Sequence, residues 1–290
     1  MMITFSKYHA LGNDYLVIDP RKTDLPMTPE VVRAICDRHH GVGSDGVLYG
    51  PTYTEGEPGV RIFNPDGGEA EKSGNGVRIF ARYLVDEGYE RSGSFVLRTA
   101  GGPVKIEVLD SQASLIRVDM GRITFDSELI PVRGPKREVI DEPLRIGDET
   151  YRVTCASIGN PHCVIPVDAV SKDMVMRLGP LVENHEAFPN RINLQIMKAI
   201  DAANIEIEIW ERGAGYTLAS GSSSCAAACA AHRLGLTGPQ VTVHMPGGTI
   251  QVSIATDGHV FMTGTVTPVM RGVLLRSMEE MLRKLSLASF

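Results

Sequence analysis

Two short polar segments combine residue types that can hold an anion. Ser73 to Arg78 (SGNGVR) places small residues directly before a helix-like apolar spacing, and Ser220 to Ser224 (SGSSS) does the same before an alanine-rich stretch. The first backbone N–H groups of a helix lack partners within the helix and lie at the positive end of its dipole. Each segment alone also fits a simple N-cap. Together they predict two helix N-termini that bind a carboxylate and stabilise charge developing on it.

Charged and amide side chains form a second set of candidates. Glu211 and Arg212 are adjacent at the end of a predicted strand, so they point to opposite faces and need not neutralise each other. A glutamate in this position can bind an ammonium group, and an arginine can bind a carboxylate through two hydrogen bonds. A surface ion pair is the alternative for Glu211 and Arg212, and turn formation is the alternative for Asn13, Asn160 and Asn193.

The motifs of the first half recur in the second half at one constant spacing. Gly12-Asn13 matches Gly159-Asn160, Phe63-Asn64 matches Trp210-Glu211, and Ser73-Gly74 matches Ser220-Gly221, each 147 residues later (159 − 12, 211 − 64 and 220 − 73). A repeat of this length indicates two similar domains, with a boundary between residues 120 and 130. We expect a pseudo-twofold axis to bring the same three loops of each domain to a shared cleft.

The elements that position these loops belong to a mixed α and β protein. Helical spacing predicts helices at residues 29–36, 77–86, 224–234 and 277–285. Alternating or β-branched runs predict strands at residues 94–97, 104–108, 115–118, 205–209, 240–244 and 249–254.

Composition excludes several classes of partner. The net charge is −6, from 29 basic and 35 acidic residues without a run of five like charges, which argues against nucleic-acid binding and a polybasic membrane anchor. No stretch approaches the ~18 uninterrupted apolar residues of a membrane span. Five cysteines without paired spacing argue against a disulfide framework and a zinc ribbon. The first 14 residues do not fit a signal peptide. We therefore expect a cytoplasmic protein with a small-molecule partner.

The motifs resemble those of the diaminopimelate epimerase family. Its members are cofactor-independent amino-acid racemases of the lysine and peptidoglycan pathway. The resemblance spans nearly the whole chain, and its markers are Phe5 to Lys7, Gly12 to Tyr15, Gly43 to Gly46, Arg61 to Glu71, Ser73 to Arg78, Gly159 to Val164, Asn193 and Glu211 to Gly221.

This resemblance implies an α+β fold of two pseudo-symmetric mixed α/β domains, each with a sheet wrapped around a central helix. It implies an N-terminal domain of residues 1–122 joined by the C-terminal segment 268–290, and a C-terminal domain of residues 123–267. It also implies a homodimer without a metal or cofactor.

The family's functional residues are carried over position by position. The substrate-binding set is implied to comprise Asn13, Asn64, Asn160, Asn193, Glu211 and Arg212. The loops that hold the reacting carboxylate through backbone amides are implied to contain Gly74, Asn75, Gly221 and Ser222.

Two catalytic positions depart from the family pattern. The family has cysteines that remove and return the α-proton on opposite faces, whereas this chain has Ser73 and Ser220. A serine hydroxyl is a much weaker acid than a thiol, whose usual pKa is ~8.5. Further changes near both serines, Ile79 and the sequence GSSSC, favour natural divergence over an engineered double substitution.

The resulting hypothesis is an isomerase that inverts the α-carbon of an amino acid, converting LL-diaminopimelate to the meso form in lysine biosynthesis. One alternative is a racemase or tautomerase of a related amino acid, with Asp66, Glu69 or His162 as a single base. The other is a catalytically inactive homologue that binds an amino acid.

Overall fold

The computed structural model describes residues 2–71 and 73–288, and the chain divides into two compact units. The first unit comprises Met1–Val118 and Gly264–Phe290, and the second comprises Asp119–Thr263. The chain passes between the units within two strands, Leu115–Arg122 and His259–Thr265. None of the helices in the described residues combines the length and apolar character needed to cross a membrane.

The first unit is built from strands around one helix. Its elements in chain order are β1 (Thr4–Ala10), β2 (Asn13–Ile18), α1 (Pro29–Cys36), β3 (Val47–Thr54), β4 (Glu57–Phe63), β5 (Glu69–Ala70), α2 (Gly74–Asp86), β6 (Ser94–Thr99), β7 (Gly102–Val108) and the start of β8 (Leu115–Arg122). Strands β1 and β2 pair antiparallel, β2 and β3 parallel, β3 and β4 antiparallel, and β4 and β6 parallel. Most residues of α2 are buried against β1, β2 and β3, so α2 is the central helix.

The second unit repeats this order of elements. It contains β9 (Glu142–Ile146), β10 (Glu149–Ser157), β11 (Pro161–Pro166), α3 (Lys172–Glu183), β12 (Asn193–Asp201), β13 (Asn204–Glu211), β14 (Gly215–Thr217), α4 (Gly221–Arg233), β15 (Gln240–Met245), β16 (Gly248–Ile254) and β17 (His259–Thr265). The pairing from β10 to β13 and from β13 to β15 has the same directions as in the first unit. Small side chains such as Ala226 to Ala228 let the strands approach α4 on all sides.

The chain returns to the first unit through β18 (Thr267–Val273) and α5 (Arg276–Ala288). Strand β18 pairs antiparallel with β1, and α5 packs against α1. Leu282 of α5 is fully buried among Val31 and Ile35 of α1, which fixes the C-terminal segment in the core of this unit. The predicted mixed α/β class, with a sheet around a central helix in each unit, is confirmed.

The central helices preserve the spacing found in the sequence. Helices α2 and α4 each contain 13 residues, and both ends of α4 follow those of α2 by 147 residues (221 − 74 and 233 − 86). Both helices begin three residues earlier than their apolar spacing predicts, at Gly74 and Gly221. The polar first turn is helical because the preceding serine accepts a hydrogen bond from a backbone amide of that turn.

Helix α3 was absent from the sequence predictions because Gly179 and Pro180 interrupt its apolar pattern. Ser171 caps the helix, and Val175, Leu178 and Val182 are buried in the core. Gly179 is needed for packing, since a Cβ at this position would lie 2.3 Å from the ring of Trp210.

Candidate active site

In the first unit, Ser73 caps the central helix and has a phenol as its neighbour. Its Oγ accepts a hydrogen bond from the amide of Gly76 (3.1 Å) and lies 3.4 Å from the hydroxyl of Tyr15. The ring of Tyr15 is buried, whereas Ser73 is half-buried. Ser73 thus combines the anion-binding end of a helix with a hydroxyl contact.

A polar chain links the asparagines of this unit to charged residues. Asn13 Nδ2 donates to Asp45 Oδ2 (2.9 Å), and Asn75 Nδ2 donates to Asn13 Oδ1 (3.1 Å). An arginine contacts each end of this chain of hydrogen bonds: Arg78 donates to Asn75 Oδ1 (2.7 Å), and Arg38 donates to Asp45 (2.7 Å). Because a carboxylate only accepts and a guanidinium only donates, the two charged ends fix the orientation of both amides. In the sequence Asp45 was noted only within the marker Gly43 to Gly46, and neither its contact with Asn13 nor this ordering was predicted.

Asn64 occupies the tight turn after β4, with its side chain exposed. The backbone N–H of Asn64 donates to the carbonyl of Gly68 (2.8 Å), and Gly67 closes the turn with a positive φ of +92°. A Cβ at Gly67 would lie 2.7 Å from the backbone of Pro29, so this position requires glycine.

The alternative bases of the first unit have other partners. Arg61 donates to both carboxylate oxygens of Glu69 (2.9 and 2.7 Å), which lowers the pKa of Glu69. Asp66 Oδ1 accepts a hydrogen bond from the amide of Gly68 within the turn after β4 (2.8 Å). The geometry therefore favours neither carboxylate as the single base.

In the second unit, Ser220 caps α4 and has a carboxylate as its neighbour. Its Oγ accepts a hydrogen bond from the amide of Ser223 (3.4 Å), and its hydroxyl lies close enough to the carboxylate of Glu211 to lower the pKa of that group. Thr217 donates to Glu211 Oε2 (3.3 Å). Burial raises the pKa of Glu211, while the nearby hydroxyls of Ser220 and Thr217 act in the opposite direction. A carboxylate with a raised pKa beside a hydroxyl is suited to accept a proton.

The contact between Glu211 and Ser220 was missed by the sequence analysis. The sequence paired Glu211 with Asn64 at the repeat offset and assigned it to substrate binding alone. The fold brings Glu211 to Ser220 because β13 ends at Glu211 and the chain returns through β14 before α4 begins.

Asn160 and His162 contact the first turn of α4. Asn160 Nδ2 donates to Ser222 Oγ (3.3 Å), and His162 Nε2 lies 3.0 Å from Asn160 Oδ1. His162 is fully buried, and burial lowers its pKa to about 3, so its imidazole is neutral near pH 7. A base this weak does not suit removal of an α-proton, which argues against His162 as the single base.

Asn193 and Arg212 form the remaining predicted pair. Asn193 is buried, with its Nδ2 donating to the carbonyl of Pro161 (2.7 Å) and its Oδ1 accepting from the amide of Arg212 (2.8 Å). Arg212 is exposed, and its Nη1 donates to the carbonyl of Asn190 (3.0 Å). Asn193 thereby holds the backbone that presents the guanidinium.

The cysteines near α4 do not replace the missing thiols. Cys225 and Cys229 lie in the middle of α4 with their side chains buried, and burial raises the pKa of Cys229 well above its usual range. A thiol in such apolar surroundings is inert as a base.

Comparison with known proteins places the chain in a family. The family model described as diaminopimelate epimerase matches residues 5–125 and 154–269. The relative named diaminopimelate epimerase 2 from Nostoc sp. is 51% identical over 271 residues, covering 93% of this chain and 95% of the relative. The diaminopimelate epimerase of Moorella thermoacetica is 38% identical over 272 residues, covering 92% of this chain and 98% of the relative.

Solved structures share the fold at low sequence identity. A hydroxyproline epimerase from Agrobacterium vitis matches with a TM-score of 0.69 and 14% identity, covering 94% of this chain and 92% of that chain. A predicted epimerase from Pseudomonas aeruginosa matches with a TM-score of 0.64 and 18% identity, covering 94% of this chain and 99% of that chain.

Proposed function

The chain belongs to the diaminopimelate epimerase family, and we propose that it interconverts LL- and meso-diaminopimelate in lysine biosynthesis. The observation that carries the chemical part of this proposal is the carboxylate of Glu211 beside the hydroxyl of Ser220, where burial raises the pKa of Glu211. The family resemblance implies that Ser73 and Ser220 act on opposite faces of one α-carbon without a cofactor.

Glu211 and Ser220 serve together as the base. The α-proton passes to Ser220 Oγ while the hydroxyl proton of Ser220 passes to Glu211, so the serine is never a free alkoxide. This arrangement compensates in part for the weak acidity of serine, because the acceptor of the proton is a carboxylate. Glu211 therefore takes part in proton transfer in addition to the substrate-binding role that the resemblance implies.

Ser73 supplies the proton on the opposite face. Its hydroxyl donates to the carbanionic α-carbon, and the neighbouring hydroxyl of Tyr15 (3.4 Å) can return a proton to the serine oxygen. Solvent then reprotonates Tyr15, and Glu211 releases its proton to solvent. A phenol is ordinarily protonated near pH 7 and can donate, whereas a carboxylate can accept a proton, so we assign the base to Glu211 and Ser220 of the second unit.

The first turns of the central helices hold the reacting carboxylate. Neither helix supplies an internal acceptor for its earliest amides, and the dipole at a helix start favours a negative group. The four residues that provide these amides are Gly74, Asn75, Gly221 and Ser222. The side chains proposed to bind the rest of the substrate are Asn13, Asn64, Asn160, Asn193 and Arg212.

We also propose that the protein is a cytoplasmic homodimer. Strand β18 carries exposed apolar side chains, Val269, Met270 and Val273, that a second copy can cover. The five cysteines are free and buried, which suits a reducing compartment. Sedimentation velocity of the purified protein is expected to give the mass of a dimer, and a monomer at all concentrations would overturn this part.

The activity is tested by incubating the purified protein with LL-diaminopimelate and separating the stereoisomers by chiral chromatography. We expect the meso form to accumulate, and the Ser73→Ala, Ser220→Ala double variant to bind diaminopimelate without converting it. Saturable binding with no conversion by the unmodified protein would overturn the proposal and identify an amino-acid-binding homologue.

A further inference from the structure

Two buried polar atoms without a hydrogen-bond partner in the described part of the chain belong to side chains on the same face of the sheet, beneath the first turn of α4. Gln195 and His162 are both fully buried. Strands β11 and β12 are parallel with Val164 opposite Gln195, so the side chains of His162 and Gln195 lie on the same face of the sheet. Among the residues that the structure describes, neither Gln195 Oε1 nor His162 Nδ1 has a hydrogen-bond partner. Buried polar atoms of this kind cost free energy unless they are paired.

A rotation of the Gln195 side-chain amide gives both of these atoms a hydrogen-bond partner. The Nε2 atom of Gln195 lies at 3.0 Å from Ser223 Oγ. At this distance the hydroxyl of Ser223 can act as a donor or as an acceptor. If the amide is turned by about 180°, its oxygen accepts from Ser223 and its nitrogen faces His162 Nδ1. The two ends of an amide are distinguished only by the network around them.

The rotated amide completes a chain that runs in one direction. Ser223 donates to Gln195, Gln195 donates to His162 Nδ1, and His162 Nε2 donates to Asn160 Oδ1, which lies 3.0 Å away. Asn160 Nδ2 then donates to Ser222 Oγ at 3.3 Å. The chain starts and ends at consecutive residues of α4, and each donor polarises the next one.

We propose that Gln195 is a positioning residue that selects the Nε2–H tautomer of His162 and thereby orients Asn160 and Ser222. With the proton on Nε2, His162 can only donate to Asn160, so Asn160 must turn its oxygen to the ring and its nitrogen to Ser222. The importance of this orientation for catalysis rests on the proposed function, because Asn160 and Ser222 belong to the proposed substrate-binding set.

The direct test is the position of the ring proton of His162. Nitrogen-15 spectra of the full-length protein labelled in histidine distinguish the two tautomers, and the resonance is assigned by its loss in His162→Gln. We expect Nε2–H in the unmodified protein. In Gln195→Glu a carboxylate oxygen faces Nδ1, so we expect a proton on Nδ1. The matched control is Gln251→Glu, at an exposed position of β16, which should leave His162 unchanged.

Two results would overturn the role of Gln195: a proton on Nδ1 in the unmodified protein, or an unchanged Nε2–H tautomer in Gln195→Glu. If Gln195→Glu does not fold, neutron diffraction of the unmodified protein decides the same point. It should show the amide nitrogen of Gln195, with its deuterons, facing His162, and an amide oxygen there would overturn the proposal.

A kinetic measurement separates this proposal from the proposed function. Gln195→Glu should raise KM for diaminopimelate by about tenfold, the effect of misplacing one hydrogen bond to substrate, with a smaller change in kcat. An unchanged KM alongside a shifted ring proton would overturn the step from His162 to substrate binding. A protein that converts no diaminopimelate would overturn the proposed function, while the ring proton still decides the role of Gln195.

Discussion

The two central helices begin with the same backbone geometry, but different side chains lie beside their first residues. Ser73 and Ser220 cap their helices through the same contact, a hydrogen bond from the amide three residues later (3.1 and 3.4 Å). Yet Ser73 has the hydroxyl of Tyr15 beside it, and Ser220 has the carboxylate of Glu211. The repeat therefore preserves the serine cap of both helices, while Tyr15 and Glu211 on neighbouring strands give the two serines different neighbours.

The asparagines that accompany the helices also differ between the units. Asn13 and Asn160 are related by the repeat, but Asn13 turns its oxygen towards the helix start and Asn160 turns its nitrogen there. The partners impose this difference: Asp45 accepts from Asn13, whereas His162 contacts the oxygen of Asn160. Related positions in a duplicated fold thus acquire opposite hydrogen-bonding character through their outer partners.

The largest expected effect comes from replacing both serines with cysteine. Restoring both thiols in a Ser73→Cys, Ser220→Cys double variant should raise kcat for diaminopimelate by ~10²- to 10⁴-fold, because helix N-termini lower the pKa of a thiol. Each single variant should gain much less, with Ser73→Cys ahead of Ser220→Cys because the neighbour of Ser73 is the phenol of Tyr15, whereas Ser220 already has Glu211 beside it. Chiral chromatography under steady-state conditions measures all three. An inactive double variant that folds and binds diaminopimelate would contradict the two-sided mechanism.

The next effect comes from removing the base of the second unit. Glu211→Gln keeps the shape of the side chain and cannot accept a proton, so kcat should fall by at least ~10²-fold. Full activity in this variant, measured by the same assay, would assign the base elsewhere.

The stability of Glu211→Gln provides its control. Burial raises the pKa of Glu211 in the folded state, so between the unfolded and folded pKa values the native protein binds more protons than the unfolded chain. The contribution of Glu211 to stability therefore falls as pH rises through that window. Glu211→Gln should lose this dependence and should melt at an equal or higher temperature near pH 7. A lower melting temperature would indicate that its loss of activity is a folding defect.

In the first unit, the ordering of Asn13 is tested by two neighbouring substitutions. Asp45→Ala removes the acceptor that fixes Asn13 and should raise KM by ~10- to 100-fold, the range for a hydrogen bond to a charged group. Arg38→Ala is the matched control, since it removes the cation that contacts the other oxygen of Asp45 and leaves the bond to Asn13. Equal KM values in the two variants would show that Asp45 acts only through its ion pair.

The smallest expected effect is that of Tyr15→Phe. The variant loses one hydroxyl that lies 3.4 Å from Ser73 Oγ, and its buried ring remains in place. A neutral hydrogen bond contributes ~0.5–1.5 kcal/mol, so kcat should fall by ~2- to 10-fold. The comparison with Glu211→Gln in one assay measures the asymmetry of the two serines. A loss larger than that of Glu211→Gln would move the assignment of the base to the first unit.

The sequence predicted the duplicated fold because glycine-rich turns and serine caps act locally. Ser73 and Ser220, with the residues after them, specify helix starts by backbone hydrogen bonds within one turn. Helix α3 was missed because Gly179 serves a tertiary contact with Trp210 that no local pattern reveals.

The partners of the site could not be predicted for the same reason. Asp45 lies 32 residues after Asn13, and Gln195 lies 33 residues after His162, so only the strand pairing brings them together. Neither pair follows a spacing that indicates contact along one element. The binding roles that the sequence assigns to the site residues therefore remain predictions. The structure adds the neighbouring residues that orient their side chains.

The central claim, that the second unit holds the base, is tested most directly by deuterium exchange at the α-carbon. Each protein is incubated with one epimer of diaminopimelate in D₂O, and mass spectrometry with chiral separation records exchange and inversion separately. Ser73→Ala retains Ser220 and Glu211, so it should exchange the α-proton of one epimer without inverting it. Ser220→Ala should show neither process with the epimer whose α-proton faces Ser220, because Ser73 removes a proton only in the reverse direction. Exchange that persists in Ser220→Ala and disappears in Ser73→Ala would contradict the account.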